Sequence, residues 1–381
     1  MSVLGIPNAR FWADTQGPEM VQEAVRALER ERATQGRLGP ANFLAVSGGS
    51  DNGAFGAGLL SGWTDNGTRL SFKLVTGIST GALIAPFAFL GPAYDQQLRA
   101  VYIGVQPRDI YEQRSILSAV FSDALADTDP LYRLISRYAN EDMLAAIGRE
   151  YAKGRLLLIG TTNLDVQRPV IWNIGAIAAS GRPGALDLFR KILLASASIP
   201  GAFPPVLIDV ESEGRHYQEM HVDGGAVAQT FLYPVQVGKL INMRQDLARE
   251  RHAYVIRNAR LDPEWASVDR RLLSITGRAI ATMIHYSGYN DVLRIYFVTQ
   301  RDGVDYNLAY ISRDFTTERR ESFDPAYMRS LFEYGYRLAR CGNPWRKAPP
   351  ILAEPDGRED LLPETAVSPG TTCPGPTTLR E

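Results

Sequence analysis

Two strand-turn-helix units set almost back to back, between Leu44 and Gly81, constrain this chain more than any other stretch. The first reads LAVSGGSDNGAFGAGLLSGW and the second, after a short linker, FKLVTGISTGALIAPFAFL. Each is a β-type apolar run, a Gly-rich bend and a small-residue helix, the unit from which α/β domains are built. Two bends of that kind so close together predict one reactive centre.

The second bend is the sharper signal. A strand over Lys73 to Thr76 leads into Gly77-Ile78-Ser79-Thr80-Gly81, and Ala82 to Leu90 reads as an apolar helix interrupted near Pro86. This is the G-x-S-x-G nucleophile elbow, in which Gly77 and Gly81 permit a tight, strained turn that lifts the Ser79 hydroxyl above the sheet edge. The helix that follows aims its N-terminal N–H groups at negative charge developing beside Ser79. The pentapeptide alone also arises by chance; the strand before it and the helix after it make it a nucleophile candidate.

The first bend supplies what such a serine needs. Ser47 to Gly53 follows a strand over Phe43 to Val46 and precedes a helix-compatible stretch, Ala54 to Trp63. Around Gly48, Gly49, Ser50 and Asp51 several backbone N–H groups can converge on one point and stabilise an oxyanion. A phosphate-binding loop would need a Lys that is absent here. A dinucleotide fingerprint fails as well, because Gly53, Gly56 and Gly58 carry its spacing reversed.

A Gly-rich loop, a G-x-S-x-G elbow about 30 residues later and a downstream Asp-Gly-Gly together resemble the patatin-like phospholipase family. The resemblance implies an α/β three-layer sandwich, a central mainly parallel sheet flanked by helices, and a lipid acyl hydrolase acting on lipid or other acyl esters without metal or organic cofactor. Ser79 matches the family's nucleophile. Asp223, in His221-Val222-Asp223-Gly224-Gly225, matches its dyad aspartate, with Gly224 and Gly225 completing the Asp-Gly-Gly motif. The likeness extends over about Asn42 to Val235, including ASASIPGAFPPV from Ala195 to Val206. The chain departs from the family's Asp-Gly-Gly-Gly-x-Arg-Gly loop, with Ser47 for the Asp, Ser50 for the third Gly and Asn52 for the Arg, so no role of that Arg carries over.

Histidine offers the rival base, in the order serine, acid, histidine: Asp223 followed by His252 or His285. His221 shares a strand face with Asp223 and reads as a structural neighbour, and His216 precedes it. Asp223 alone would otherwise be a turn residue; the elbow and the Gly-rich loop make it the base candidate of a Ser-Asp dyad, helped by burial that raises its pKa. Ser50 and Asn52 also leave open a silent lipid- or protein-binding module of the same fold, and the acyl-enzyme chemistry leaves open an acyltransferase.

The remainder reads as scaffold. An arm at Pro7 to Trp12 and a helix over Pro18 to Arg32 form a leader, 1–40; the catalytic domain spans 41–345, with a helical insertion at 94–153; a Pro-rich tail, 346–381, is expected to be disordered. In the insertion, Ile116, Leu117, Val120, Phe121, Leu125, Leu131, Leu134, Ile135 and Tyr138 recur at helical spacing, either packing on the sheet or walling an acyl site over Ser79. Strands are expected at Arg155 to Thr161 and Val170 to Trp172, a helix at Asp187 to Ala197, and a stiff loop over Ile199 to Pro205 suited to a pocket rim. A hairpin over Val206 to Val210 and Tyr217 to Val222 delivers Asp223. Beyond it come a strand at His252 to Ala259, a helix at Leu272 to Tyr289, strands at Leu293 to Thr299 and Asn307 to Ser312, and a last helix at Pro325 to Arg340.

With 381 residues, 45% hydrophobic and 22% charged, the chain can bury a large core, and a net charge of −1 argues against a nucleic-acid surface. Cys341 and Cys373 are too few for a disulfide framework or zinc site, and can be one bridge or two thiols. No apolar run reaches a membrane span of about 18 residues, and no export signal is visible. The compartment stays open between cytoplasm and export with a leader removed. Without a basic amphipathic helix, membrane contact is expected to be transient and through apolar loops; the oligomeric state is not legible.

Overall fold

The computed structural model describes residues 2–110, 112–113, 126–236, 238 and 249–352. The strands are β1 Arg10–Trp12, β2 Ala41–Val46, β3 Leu74–Ile78, β4 Glu112–Gln113, β5 Ala126–Asp127, β6 Leu156–Asn163, β7 Arg168–Asn173, β8 Val206–Ser212, β9 Arg215–Asp223, β10 Arg251–Arg257 and β11 Asp305–Tyr310. All but the small β4-β5 pair join one sheet, ordered β1-β7-β6-β3-β2-β10-β11, with the β8-β9 hairpin attached to β6. β6, β3, β2, β10 and β11 run parallel, while β7, β1 and β9 are antiparallel to their neighbours.

The parallel strands are apolar on both faces because helices cover both. On one face lie α2 Gly53–Asp65, α3 Thr80–Leu90, α4 Asp95–Ile103, α5 Asp129–Tyr138, α6 Glu141–Ala152, α7 Ile174–Ala179, α8 Ala185–Ala197 and α10 Pro325–Cys341. α1 Gly17–Gln35 and α9 Leu272–Asp302 cover the other. Neighbouring residues of β2 divide accordingly: Leu44 and Val46 enter the first core, Ala45 the second. The glycines of α2 have a packing reason. A Cβ on Gly58 or Gly62 would run into the carbonyl oxygens of Phe332 and Tyr336, so the bare stripe lets the α10 backbone lie directly on α2.

Two expectations change. The helix over Thr80–Leu90 runs through Pro86 without interruption. Leu293 to Thr299 is not a strand but the continuation of α9, which extends to Asp302. The run LRIYFVT carries β-type residues, yet its core contacts fall at Val292, Ile295 and Thr299, a helical period, and tertiary packing overrides local propensity. β11 is consequently joined to β10 by a helical crossover, and it forms one edge of the sheet. Ile116, Leu117, Val120, Phe121 and Leu125 of the insertion, Cys373, and the tail beyond 352 lie outside the described residues.

Helix and strand make opposite demands on Ile295 and Phe297, which would share one face of a strand. Here Ile295 is 4% exposed and Phe297 57%. Ile295→Ala is expected to destabilise the protein by about 2–4 kcal/mol and Phe297→Ala by less than about 0.5 kcal/mol in denaturant unfolding; equal losses would contradict the helix.

Candidate active site

The site is made by two strands that meet end to end along one side of β6. β3 arrives in parallel and ends with Ile78 opposite Gly160; β9 arrives antiparallel and ends with Asp223 opposite Thr161. Ser79 and Asp223 are thus delivered from opposite directions to adjacent positions over the Gly160-Thr161 backbone. Ser79 sits at φ 56°, ψ −127°, the left-handed strain of a nucleophile elbow. Gly77 is the last residue but one of β3 and Gly81 the second of α3, where a Cβ would meet the Val46 carbonyl.

The C-terminal end of α8 and the residues just after it lock both residues. Ser196, fully buried, donates its hydroxyl to the Gly160 carbonyl at 2.7 Å and accepts the Ser79 N–H at 3.0 Å. Two residues on, the Ser198 carbonyl accepts the Asp223 N–H at 2.8 Å. The Ala195 to Val206 motif therefore ties the elbow, β6 and the Asp-Gly-Gly turn together. Sequence reasoning gave Ser196 no role; a hydroxyl at the end of an apolar helix was its only signal.

Asp223 is 4% exposed. Its Oδ1 accepts the Gly225 N–H at 2.7 Å, and Gly224 packs against the Gly160 carbonyl. Burial raises its pKa to about 7, opposed by the facing Ser79 hydroxyl and the Gly225 N–H. Among the described residues no histidine ring hydrogen-bonds Ser79 or Asp223. His221, fully buried, lies 3.0 Å from the Thr161 hydroxyl and 3.2 Å from Glu219, and burial holds it toward its neutral form. His252 pairs with Asp305 at the opposite end of the sheet. His216 is exposed on β9 and His285 lies on α9.

Of the Gly-rich loop, Gly48 N–H donates to the Gln229 carbonyl at 2.9 Å, whereas among the described residues the N–H groups of Gly49, Ser50 and Asp51 meet no protein acceptor. Gly49 must be glycine because a Cβ would strike the Asn258 carbonyl. Asn258 clamps the loop, donating its backbone N–H to Ser47 Oγ and its side-chain Nδ2 to the Ser47 carbonyl, each at 2.9 Å. The Asp51 carboxylate accepts from Arg319 at 2.9 Å and from the Phe323 N–H at 3.1 Å, and Asn52 accepts the Tyr327 hydroxyl at 2.6 Å. Behind the loop stands Arg257, 2% exposed, with Nη1 at 3.3 Å from Ser47 Oγ and 3.4 Å from the Gly48 carbonyl. Burial lowers its pKa to about 10 despite the Asp291 charge, and among the described residues no carboxylate lies within ion-pair distance. It too escaped sequence reasoning, although a cation closing the apolar strand HAYVIRN was a usable sign.

Ser50, Ser79 and Thr80 open onto an apolar cleft of about 550 Å³, counting its open mouth. Leu83, Val101, Leu131 and Leu134 are shared with a second hollow of about 370 Å³ that reaches Tyr138 and Met143. Of the insertion's described part, α5 packs on α8, and its Leu131 and Leu134 also line the cleft. Ile199 and Phe203 of the stiff loop form part of the lining. A separate apolar hollow between α1 and the opposite end of the sheet contains neither Ser79 nor Asp223.

A buried carboxyl with a raised pKa makes folding less favourable as pH rises from its unfolded value near 3.8 to about 7, because only the unfolded state readily gives up the proton. Asp223→Asn mimics the protonated form. It is expected to match wild-type stability below about pH 4 and to exceed it by up to about 4 kcal/mol above pH 8; a pH-independent difference would contradict this environment.

Comparison with known proteins bears on this geometry. The model of the patatin-like phospholipase family matches residues 44–235. No curated protein matches the chain. Among solved structures, the crystal structure of VipD from Legionella pneumophila aligns at 10% identity and a TM-score of 0.36, covering 78% of this chain and 66% of that one, just under two thirds of its length. That likeness is too slight to carry an argument. The family match spans half of the chain and holds the elbow, the Gly-rich loop and the Asp-Gly-Gly turn: the chain belongs to the patatin-like phospholipase family.

Proposed function

We propose that the protein cleaves carboxylic esters of lipids through a Ser79-Asp223 dyad. The observation that carries the reading is the end-to-end meeting of β3 and β9, which sets the strained Ser79 beside a buried carboxyl poised near pH 7. The Asp223 carboxylate takes the Ser79 proton as Oγ attacks the ester carbonyl. Negative charge gathers on the carbonyl oxygen, and the N–H groups of Gly49, Ser50 and Asp51 are the donors free to receive it. Collapse breaks the bond to the alcohol, which leaves with the proton held by Asp223. Water, deprotonated by the same carboxylate, then attacks the acyl-serine and regenerates the hydroxyl.

Arg257 supports this step from behind. A desolvated cation with no carboxylate at hand favours charge appearing on the far side of the loop, which it meets at Ser47 and Gly48.

Hydrolysis of p-nitrophenyl esters tests the dyad. Ser79→Ala and Asp223→Asn are each expected to lower kcat by at least about a thousandfold, whereas His252→Ala and His285→Ala leave it within about threefold. Wild-type kcat/KM should rise through one ionisation near pH 7. Inactivity of the wild type on every ester, or turnover surviving in Ser79→Ala, would sink the proposal.

The joined hollows set the acyl specificity. Leu134→Trp, which narrows the passage between them, is expected to reduce turnover of long-chain esters by about tenfold or more relative to butyrate; an unchanged ladder of acyl lengths would place the acyl chain elsewhere.

A further inference from the structure

Among the described residues, the N-terminal half of α9 packs no side chain into the core. Its 31 residues span about 46 Å, whereas the seven of β10 span about 23 Å. The helix leads through Gly303 into the start of β11, so it runs against the parallel strands, and its N-terminal half overshoots their C-terminal ends. Gly288 lies against the guanidinium of Arg257, the last residue of β10. Before Gly288 no described side chain of α9 is buried. The projecting half therefore stands at the edge of the sheet that carries Ser79.

Its surface is apolar where water would demand polar residues. Trp265 is 90% exposed, Leu272 80% and Met283 71%, with Ile275, Ile280 and Tyr286 each near half. At 100° per residue the helical members of this set and Ile284 cover roughly half of the circumference, centred away from the side by which Val292 and Ile295 dock. A seam for one partner helix would be a narrower stripe. Charge points the same way: between Trp265 and Asn290 the chain has three arginines, Arg270, Arg271 and Arg278, and one acid, Asp269, within a protein of net charge −1. A broad apolar arc with an exposed Trp265 beside it and Arg270 and Arg271 at its free end matches the boundary layer of an anionic bilayer. No helix among the described residues is long and apolar enough to cross a membrane.

We propose that residues 265–287 dock the enzyme on an anionic lipid surface, holding the Ser79 cleft toward its substrate. The inference rests on the lipid hydrolase reading for its purpose, so binding and turnover are measured separately.

The test is co-flotation of the full chain carrying Ser79→Ala with vesicles of phosphatidylcholine alone or with roughly 30% phosphatidylglycerol, alongside the same chain carrying Ile280→Asp and Met283→Asp. The expected result is flotation that depends on the anionic lipid, weakens with salt, and falls about tenfold or more in the doubly substituted chain. With Ser79 restored, that chain should hydrolyse soluble p-nitrophenyl butyrate within about twofold of wild type, because both sites are exposed and distant from the chemistry. Equal flotation of both chains, or none with either vesicle, overturns the docking proposal whatever the ester activity. A dimer in solution that Met283→Asp dissolves, without vesicle binding, assigns the face to a second copy and overturns it as well. Loss of butyrate hydrolysis in wild type overturns the dyad and leaves the vesicle result standing.

Discussion

Everything at the candidate site depends on how β6 is paired. Its first five residues are taken by β3 and its last three by β9, and the change of partner at Gly160-Thr161 brings the two strand ends face to face. Backbone hydrogen bonds, rather than side-chain contacts, therefore fix the distance between the candidate nucleophile and base. The Ser196 hydroxyl bridges the same junction from above. Glycine at 160 is part of the arrangement, since Ile78 and Phe231 already crowd that position.

The same junction concentrates energetic strain. A serine at positive φ, a carboxyl held in a dry pocket and an arginine buried without a close counter-charge are each unfavourable in a resting fold. They persist because the surroundings over-determine them: Asn258 pins the loop, Asp51 ties it to the segment before α10, and the two glycines of α2 hold α10 close behind. In the proposed reaction such a site would gain most when negative charge forms on a bound ester, because that charge would give the arginine and the N–H groups of the loop what they lack.

The local units were legible in the sequence. The elbow and the Gly-rich loop announce themselves through strand, glycine and helix in succession, and the β8-β9 hairpin through its turn. What was not legible is non-local. Nothing near Gly48 shows that its N–H is already engaged by Gln229, and nothing near Ser196 or Arg257 shows what they touch. The misread stretch, Leu293 to Thr299, failed for a related reason, since its β-type residues are overruled by a core that meets them at helical spacing. The exposed apolar half of α9 stayed hidden because a sequence pattern gives periodicity and not which face is covered.

The central claim is that the Asp223 carboxylate, without a histidine, activates Ser79. Covalent labelling by a fluorophosphonate, followed by intact mass and peptide mapping across pH, tests it most directly. The account predicts a single adduct on Ser79, a labelling rate that climbs through pH 7, and its near abolition by Asp223→Asn with every histidine intact. An adduct that forms on Ser79 at the same rate without the Asp223 carboxylate, or that vanishes when a histidine is replaced, would contradict it.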